Sequence, residues 1–189
     1  LHPRVRRQRQ MCIRDRVLSM KKLLVVVDMQ KDFIDGSLGT KEAVDIVPLV
    51  KRKIEEYQKE SFDVIFTLDT HKEDYLSTQE GKNLPVVHCI RESSGWQLHD
   101  SLKDVKGQRF EKETFGSAAM AEYLKGKSYD VIELVGVCTD ICVISNALLI
   151  KAFLPETLIQ VDSSCCAGVT PESHETALKA MKVCQIQVL

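Results

Sequence analysis

The sequence predicts an α/β domain: a parallel sheet covered by helices on both faces. Two observations predict it. Short, continuous, β-branched apolar runs alternate with segments whose apolar residues recur every three or four positions. Most connections between them are short, which suits right-handed βαβ units.

In chain order, Leu23 to Val27 reads as a buried strand closed by Asp28. Val47, Val50, Ile54 and Tyr57 place one apolar stripe on a helix running from Val47 to Glu60. Phe62 to Asp69 is a second strand, and Thr70 to Ser94 comes next as a loop without a clear period. A loop of that length inside a domain is usually functional. Gln108 to Lys112 is a short third strand, and Ser117 to Lys125 a helix ended by Gly126. Asp130 to Val137 is a buried strand, Asp140 to Leu154 a helix stopped by Pro155, and Leu158 to Ser163 a further strand. Thr170 caps a last helix with Pro171 in its first turn, running to Val183. Gln185 to Leu189 is the last strand.

The chain has 189 residues, enough for one domain with a sizeable core. Hydrophobic residues at 44% and charged residues at 28% exclude a disordered or membrane-embedded chain. No apolar run nears the roughly 18 residues of a membrane span. The net charge of -1 conceals a basic leader, since six of nine arginines lie between Leu1 and Arg16. The remainder of the chain is acidic, which argues against nucleic acid or an anionic membrane as partner. The leader matches neither the domain nor the Ser-rich amphipathic pattern of a transit peptide. Residues 1–19 are read as a non-native, disordered leader and residues 20–189 as the domain. Seven cysteines without a secretory signal point to a reducing, cytoplasmic setting rather than to disulfides.

Ligands bind at the carboxyl ends of strands in such sheets, so polar residues just after the apolar runs are the candidates. Asp28 to Asp32 contains no glycine, which removes a dinucleotide-binding turn. Cys142 falls in the first turn of a helix if Thr139 is its N-cap, where the helix dipole favours a thiolate. The N–H groups of Cys138 and Cys142 are positioned to serve as an oxyanion hole. Asp28 at the end of a buried strand is a candidate base, and Lys112 a fixed positive charge beside both. Asp69, His71 and His88 offer one carboxylate and two imidazoles, an incomplete shell for Zn²⁺ first, with Fe²⁺ or Mn²⁺ as alternatives; Glu80 in the same loop is a further ligand candidate. Each has an ordinary alternative when taken alone: a buried Cys, a turn-capping Asp, a solvated Lys, polar loop residues. His99 and His174 have no partner pattern and read as surface histidines.

Together, Asp28-Met-Gln-Lys-Asp-Phe33, Asp69-Thr-His71 with His88, Lys112 ahead of Thr114-Phe-Gly-Ser-Ala118, and Gly136-Val-Cys-Thr-Asp-Ile-Cys142 resemble the isochorismatase-like cysteine hydrolases, and within them the nicotinamidases. The resemblance spans Met20 to Leu189. It implies a single-domain, Rossmann-like sheet of about six strands, a catalytic triad of Asp28, Lys112 and Cys142, and a cis peptide at Val137-Cys138. It further implies hydrolysis of a small amide, nicotinamide to nicotinate and ammonia, with Phe33 packing on the substrate ring and a homo-oligomeric enzyme. Pro85 stands where many nicotinamidases have a tryptophan, and no further His comes closely after His71. The alternatives are a related hydrolase of another amide or ureido compound, and a non-catalytic binding subunit of the same fold.

Overall fold

In the computed structural model, which describes residues 20–189, six parallel strands form one sheet in the order β3-β2-β1-β4-β5-β6. The leader lies outside the described residues. β1 (Lys22–Val27) is central, flanked by β2 (Asp63–Asp69) and β4 (Val131–Val137). β3 (Gln108–Lys112) and β6 (Gln187–Val188) form the two edges, and β5 (Leu158–Ala167) lies between β4 and β6. The predicted α/β class and six-stranded parallel sheet are therefore observed.

Five of the six α-helices among the described residues cover the sheet. α1 (Lys31–Ile34) and α2 (Lys41–Lys59) lie on one face, where Phe33, Ile34, Ile46, Val50 and Ile54 meet Leu24, Val26 and Phe66. On the other face α4 (Ala118–Lys125), α5 (Ile144–Phe153) and α6 (Pro171–Val183) bring Met120, Leu124, Ala147, Ile150, Leu178 and Met181 onto Leu23, Val25 and Val27. Alternate residues of β1 thus feed opposite layers, as a strand's two-residue period requires. No helix among the described residues is long and apolar enough to cross a membrane.

Several boundaries differ from those read in the sequence. α2 starts six residues earlier than its apolar stripe, because the Thr40 hydroxyl accepts the Ala43 N–H and caps it there. α1, one short turn, was not predicted; it is too short to show a period. The segment read as an irregular loop holds a 3₁₀ turn (Tyr75–Ser77) and α3 (Gln79–Asn83), started by the Thr78 cap. β5 runs four residues past Ser163, through a register shift against β4 between Leu134 and Gly136. Thr139 is not an N-cap: residues Thr139–Val143 form a wide π-turn entered from Cys138, and α5 continues from it. Ser117 caps α4 and Thr170 caps α6 as expected.

On the α2 side, Lys53 bridges Glu133 at 3.0 Å and Asp162 at 2.8 Å, while the Tyr57 hydroxyl donates to Glu133 at 2.9 Å. This ties the helix to β4 and β5 without leaving the buried Glu133 charge unpaired.

β1 and β4 diverge into opposite halves of the sheet at their carboxyl ends, which makes a crevice. Their approach there depends on Gly136. It has φ +118°, and a Cβ at this position would stand 2.1 Å from the Val27 carbonyl oxygen. Gly136→Ala should therefore cost more than about 3 kcal/mol, combining backbone strain with a backbone clash. Urea unfolding of the two proteins measures it; equal midpoints would contradict the packing described.

Candidate active site

Three strand ends and one turn meet at this crevice. Asp28 comes directly after β1 with φ 47°, held by its N–H donating to the Thr67 carbonyl at 3.2 Å. Asp69 and Lys112 close β2 and β3 and are register partners in the parallel pair. Cys142 sits in the π-turn after β4.

The Lys112 ammonium is the common neighbour. Its Nζ lies 2.7 Å from Asp28 Oδ2 and 3.1 Å from Asp69 Oδ1, and donates to Cys142 Sγ at 3.4 Å. All four side chains are buried. The surface Lys suggested by its neighbours in sequence is thus a buried one. Burial alone would lower its pKa, but Asp28, Cys142 and Asp69 outweigh that and hold it well above the usual value, so it stays charged.

Asp28 Oδ1 accepts the Thr67 hydroxyl at 2.7 Å. Oδ2 lies against the Lys112 ammonium at 2.7 Å. Burial pushes the Asp28 pKa up, Lys112 opposes this, and Asp69 adds to it. The Cys142 thiol is also pushed up, first by burial and then by Asp28, with Lys112 pulling the other way. Burial therefore works against the thiolate that a helix end would favour. A thiol and a carboxylate, each raised by burial, stand at one ammonium and can exchange one proton.

The π-turn presents Cys142. The Cys138 carbonyl accepts the N–H groups of Ile141 at 3.1 Å and Val143 at 3.0 Å and passes over that of Cys142. The Val137-Cys138 peptide is cis.

Beside this group, ligand atoms of Asp69, His71, Glu80 and His88 lie within 4.8 Å of one another. His71 Nε2 is 2.8 Å and His88 Nε2 3.4 Å from Asp69 Oδ2, with Glu80 Oε1 3.6 and 3.9 Å from the same two nitrogens. His88 donates from Nδ1 to the Val86 carbonyl at 2.7 Å, which directs Nε2 into the cluster. Burial works to raise Asp69, but the hydrogen bonds from His71 and His88 and the Lys112 charge hold it low. Glu80 is raised by burial and by Asp69. Two carboxylates and two imidazoles this close, mostly buried, fit a divalent cation that would neutralise them. α3 is what carries Glu80 into this position.

Phe33 packs within the core with its ring 5.5 Å from the His88 ring, so part of its face is taken up by a cluster residue. A cleft of about 690 Å³ opens outside the cluster, lined by His71, Tyr75, Glu80, Leu84, Phe115 and Ile141. A larger cleft, about 880 Å³, lies at the amino ends of β1, β2 and β3 and contains none of these residues.

Residues without a role in the sequence reading frame the site. The Gln30 carboxamide accepts the Asp69 N–H at 2.8 Å and donates to the carbonyls of Asp69 and Trp96, each at 2.8 Å. Asp32 Oδ2 accepts the Cys89 N–H at 2.7 Å, next to His88. Trp96 Nε1 donates to the Thr70 hydroxyl at 2.8 Å, so this residue borders the strand ends. The Tyr75 ring stacks 4.6 Å from His71 and 4.9 Å from His88. Gln30 and Asp32 fall inside the Asp28 to Phe33 motif, which was the available signal; Trp96 and Tyr75 had none.

Fold and site together define a single α/β domain with its candidate centre at the carboxyl ends of a parallel sheet. The chain belongs to the isochorismatase family, whose domain matches residues 22–189. It is 25% identical to the nicotinamidase of Saccharomyces cerevisiae, over 89% of this chain and 99% of that protein. The nicotinamidase/pyrazinamidase of Mycobacterium tuberculosis is 26% identical, over 89% and 98% of the two chains. The crystal structure of Pyrococcus horikoshii pyrazinamidase in complex with zinc is similar with a TM-score of 0.78 and 26% identity, covering 89% of this chain and 98% of that one.

If the four-donor cluster holds a cation, the purified protein should retain about one equivalent of Zn²⁺ after desalting. His88→Ala and Glu80→Ala should each weaken retention about tenfold or more. Elemental analysis with a chelator titration reads both, and unchanged retention in both variants would remove the site.

Proposed function

We propose that the protein hydrolyses the C–N bond of a small carboxamide, nicotinamide in the first instance, to the carboxylate and ammonia. One observation carries the reading: a buried thiol and a carboxylate of raised basicity share one ammonium, beside a four-donor cluster. The similarity to nicotinamidases runs over most of the chain and supports that substrate class.

The Asp28 carboxylate takes the Cys142 proton, and the sulfur attacks the carbonyl carbon. Lys112 stays protonated throughout and offsets the negative charge as it moves from oxygen to sulfur. The Cys142 N–H, passed over by the turn, faces the developing oxyanion together with that of Cys138. Asp28 then gives its proton to the leaving nitrogen, the C–N bond breaks, and ammonia departs from the thioester. Water attacks the thioester while Asp28 takes its proton, the C–S bond breaks, and that proton returns to sulfur. Asp69, His71, Glu80 and His88 would hold a divalent ion, Zn²⁺ first, whose chemistry is Lewis acidity toward the substrate ring nitrogen and a water. The cleft residues Phe115 and Ile141 supply apolar surface for a flat ring, and Phe33 would meet it only through the part of its ring that His88 leaves free. This activity would place the protein in pyridine-nucleotide salvage.

The test is ammonia release from nicotinamide by residues 20–189, alongside Cys142→Ala. Turnover should fall by at least about 10³-fold in that variant, while substrate binding stays measurable. Normal turnover in Cys142→Ala would refute the mechanism, and no release from nicotinamide by the parent protein would remove this substrate.

The pH profile gives an independent check. Asp28 must be ionised to act as base, and its pKa is raised above 3.8. The rate should therefore drop on the acid side as Asp28 takes up a proton, at a pH above the ordinary carboxylate range. An acid limb at or below that range would contradict Asp28 as the base.

A further inference from the structure

The first turn of α6 lies against the turn that carries Cys142, and the reaction as written makes no use of it. His174 Nδ1 is 2.7 Å from the Thr139 hydroxyl, and Thr139 is fully buried. One residue on, the Asp140 carboxylate accepts the Val169 N–H, at 3.1 Å for one oxygen and 3.4 Å for the other. Gly168 makes room for this contact. A Cβ there would stand 2.9 Å from His174 Cβ and 3.0 Å from its Cα and N, so any larger residue pushes the α6 backbone away. The Thr170 and Ser173 capping box fixes where α6 begins, with Thr170 four residues before His174 and so on the same side of the helix.

This contact holds the start of the path of residues 138–143; Asn146 Nδ2 holds its far end by donating to the Cys142 carbonyl at 2.8 Å. Because the Cys138 carbonyl passes over the Cys142 N–H, no backbone bond from that carbonyl sets where the Cys142 amide points. Its sulfur must also stay within 3.4 Å of Lys112 Nζ. The Thr139 hydroxyl is the side-chain tether at the start of this turn, and its partner is His174.

We propose that His174 is a positioning residue for the nucleophile: through the Thr139 hydroxyl it fixes the π-turn so that the Cys142 sulfur and N–H address the substrate carbonyl together. This rests on Cys142 as the nucleophile. A role in helix packing alone would lower thermal stability and leave chemistry intact.

The variants are His174→Ala, His174→Asn and His174→Gln. Asn places an amide atom near the site of Nδ1, whereas Gln reaches the site of Nε2. The readouts are kcat and KM for ammonia release from nicotinamide, and the rate at which iodoacetamide alkylates Cys142, tracked by mass spectrometry on its peptide. The second needs no turnover. In folded His174→Ala, kcat and the alkylation rate should both fall about tenfold or more, while KM changes less than about twofold. Asn should restore most of both, and Gln should not. Wild-type kcat and alkylation in folded His174→Ala, or rescue by Gln as full as by Asn, overturns the proposal. Should the Ala variant fail to fold, Thr139→Val against Thr139→Ser carries the same test, with Val expected to behave as Ala does and Ser as wild type. The two readings separate cleanly. Alkylation that depends on His174 in a protein releasing no ammonia leaves the positioning role standing and removes the activity; ammonia release indifferent to His174 does the reverse.

Discussion

A single buried ammonium governs this molecule. Lys112 carries the positive charge shared by two carboxylates and a thiol, all of them buried. Removing it would leave Asp28 a buried anion without its cation, a loss of about 3–5 kcal/mol for such a pair. Its position depends on the sheet. Lys112 is the last residue of β3 and Asp69 the last of β2, so their register pairing sets one contact, and the central place of β1 sets the other.

Asp69 joins this ammonium to the histidines. One carboxylate oxygen faces Lys112 and the other faces His71 and His88, so the residue belongs to both groups at once. Gln30 fixes the backbone from which it projects, by bonding both the N–H and the carbonyl of Asp69. Small errors in the β2 end would move both groups together, and a fully satisfied buried carboxamide is a stiff way to prevent that. The cost appears in the charge balance: burial and then the Asp69 charge raise Glu80, while His71, His88 and Lys112 pull it down.

How much of this was legible in the sequence differs from element to element. The apolar run of β1 and the stripe of α2 are periodic and long, and both were readable. α1 and α3 are about one turn each, too short for a period; the distant Gln97 and Gly95 carbonyls hold the start of α1, and the Thr78 hydroxyl starts α3. The π-turn was read as the start of an ordinary helix, since its apolar residues continue into α5. His174 looked like a surface residue because its partner Thr139 lies 35 positions away. For Cys142, a helix-end argument pointed to a thiolate, and burial beside Asp28 reverses it.

The sequence by itself determined the parallel α/β architecture, the strand ends where polar residues gather, and the family to which the chain belongs. These depend on local periodicity and on motifs, both carried by neighbouring residues. Only the tertiary structure decided that Lys112 is buried, that Glu80 reaches the histidines on α3, that Gln30 clamps Asp69, and that α6 braces the Cys142 turn. Each is a contact between residues distant in the chain. Its energy comes from burial and charge compensation, which no local pattern encodes.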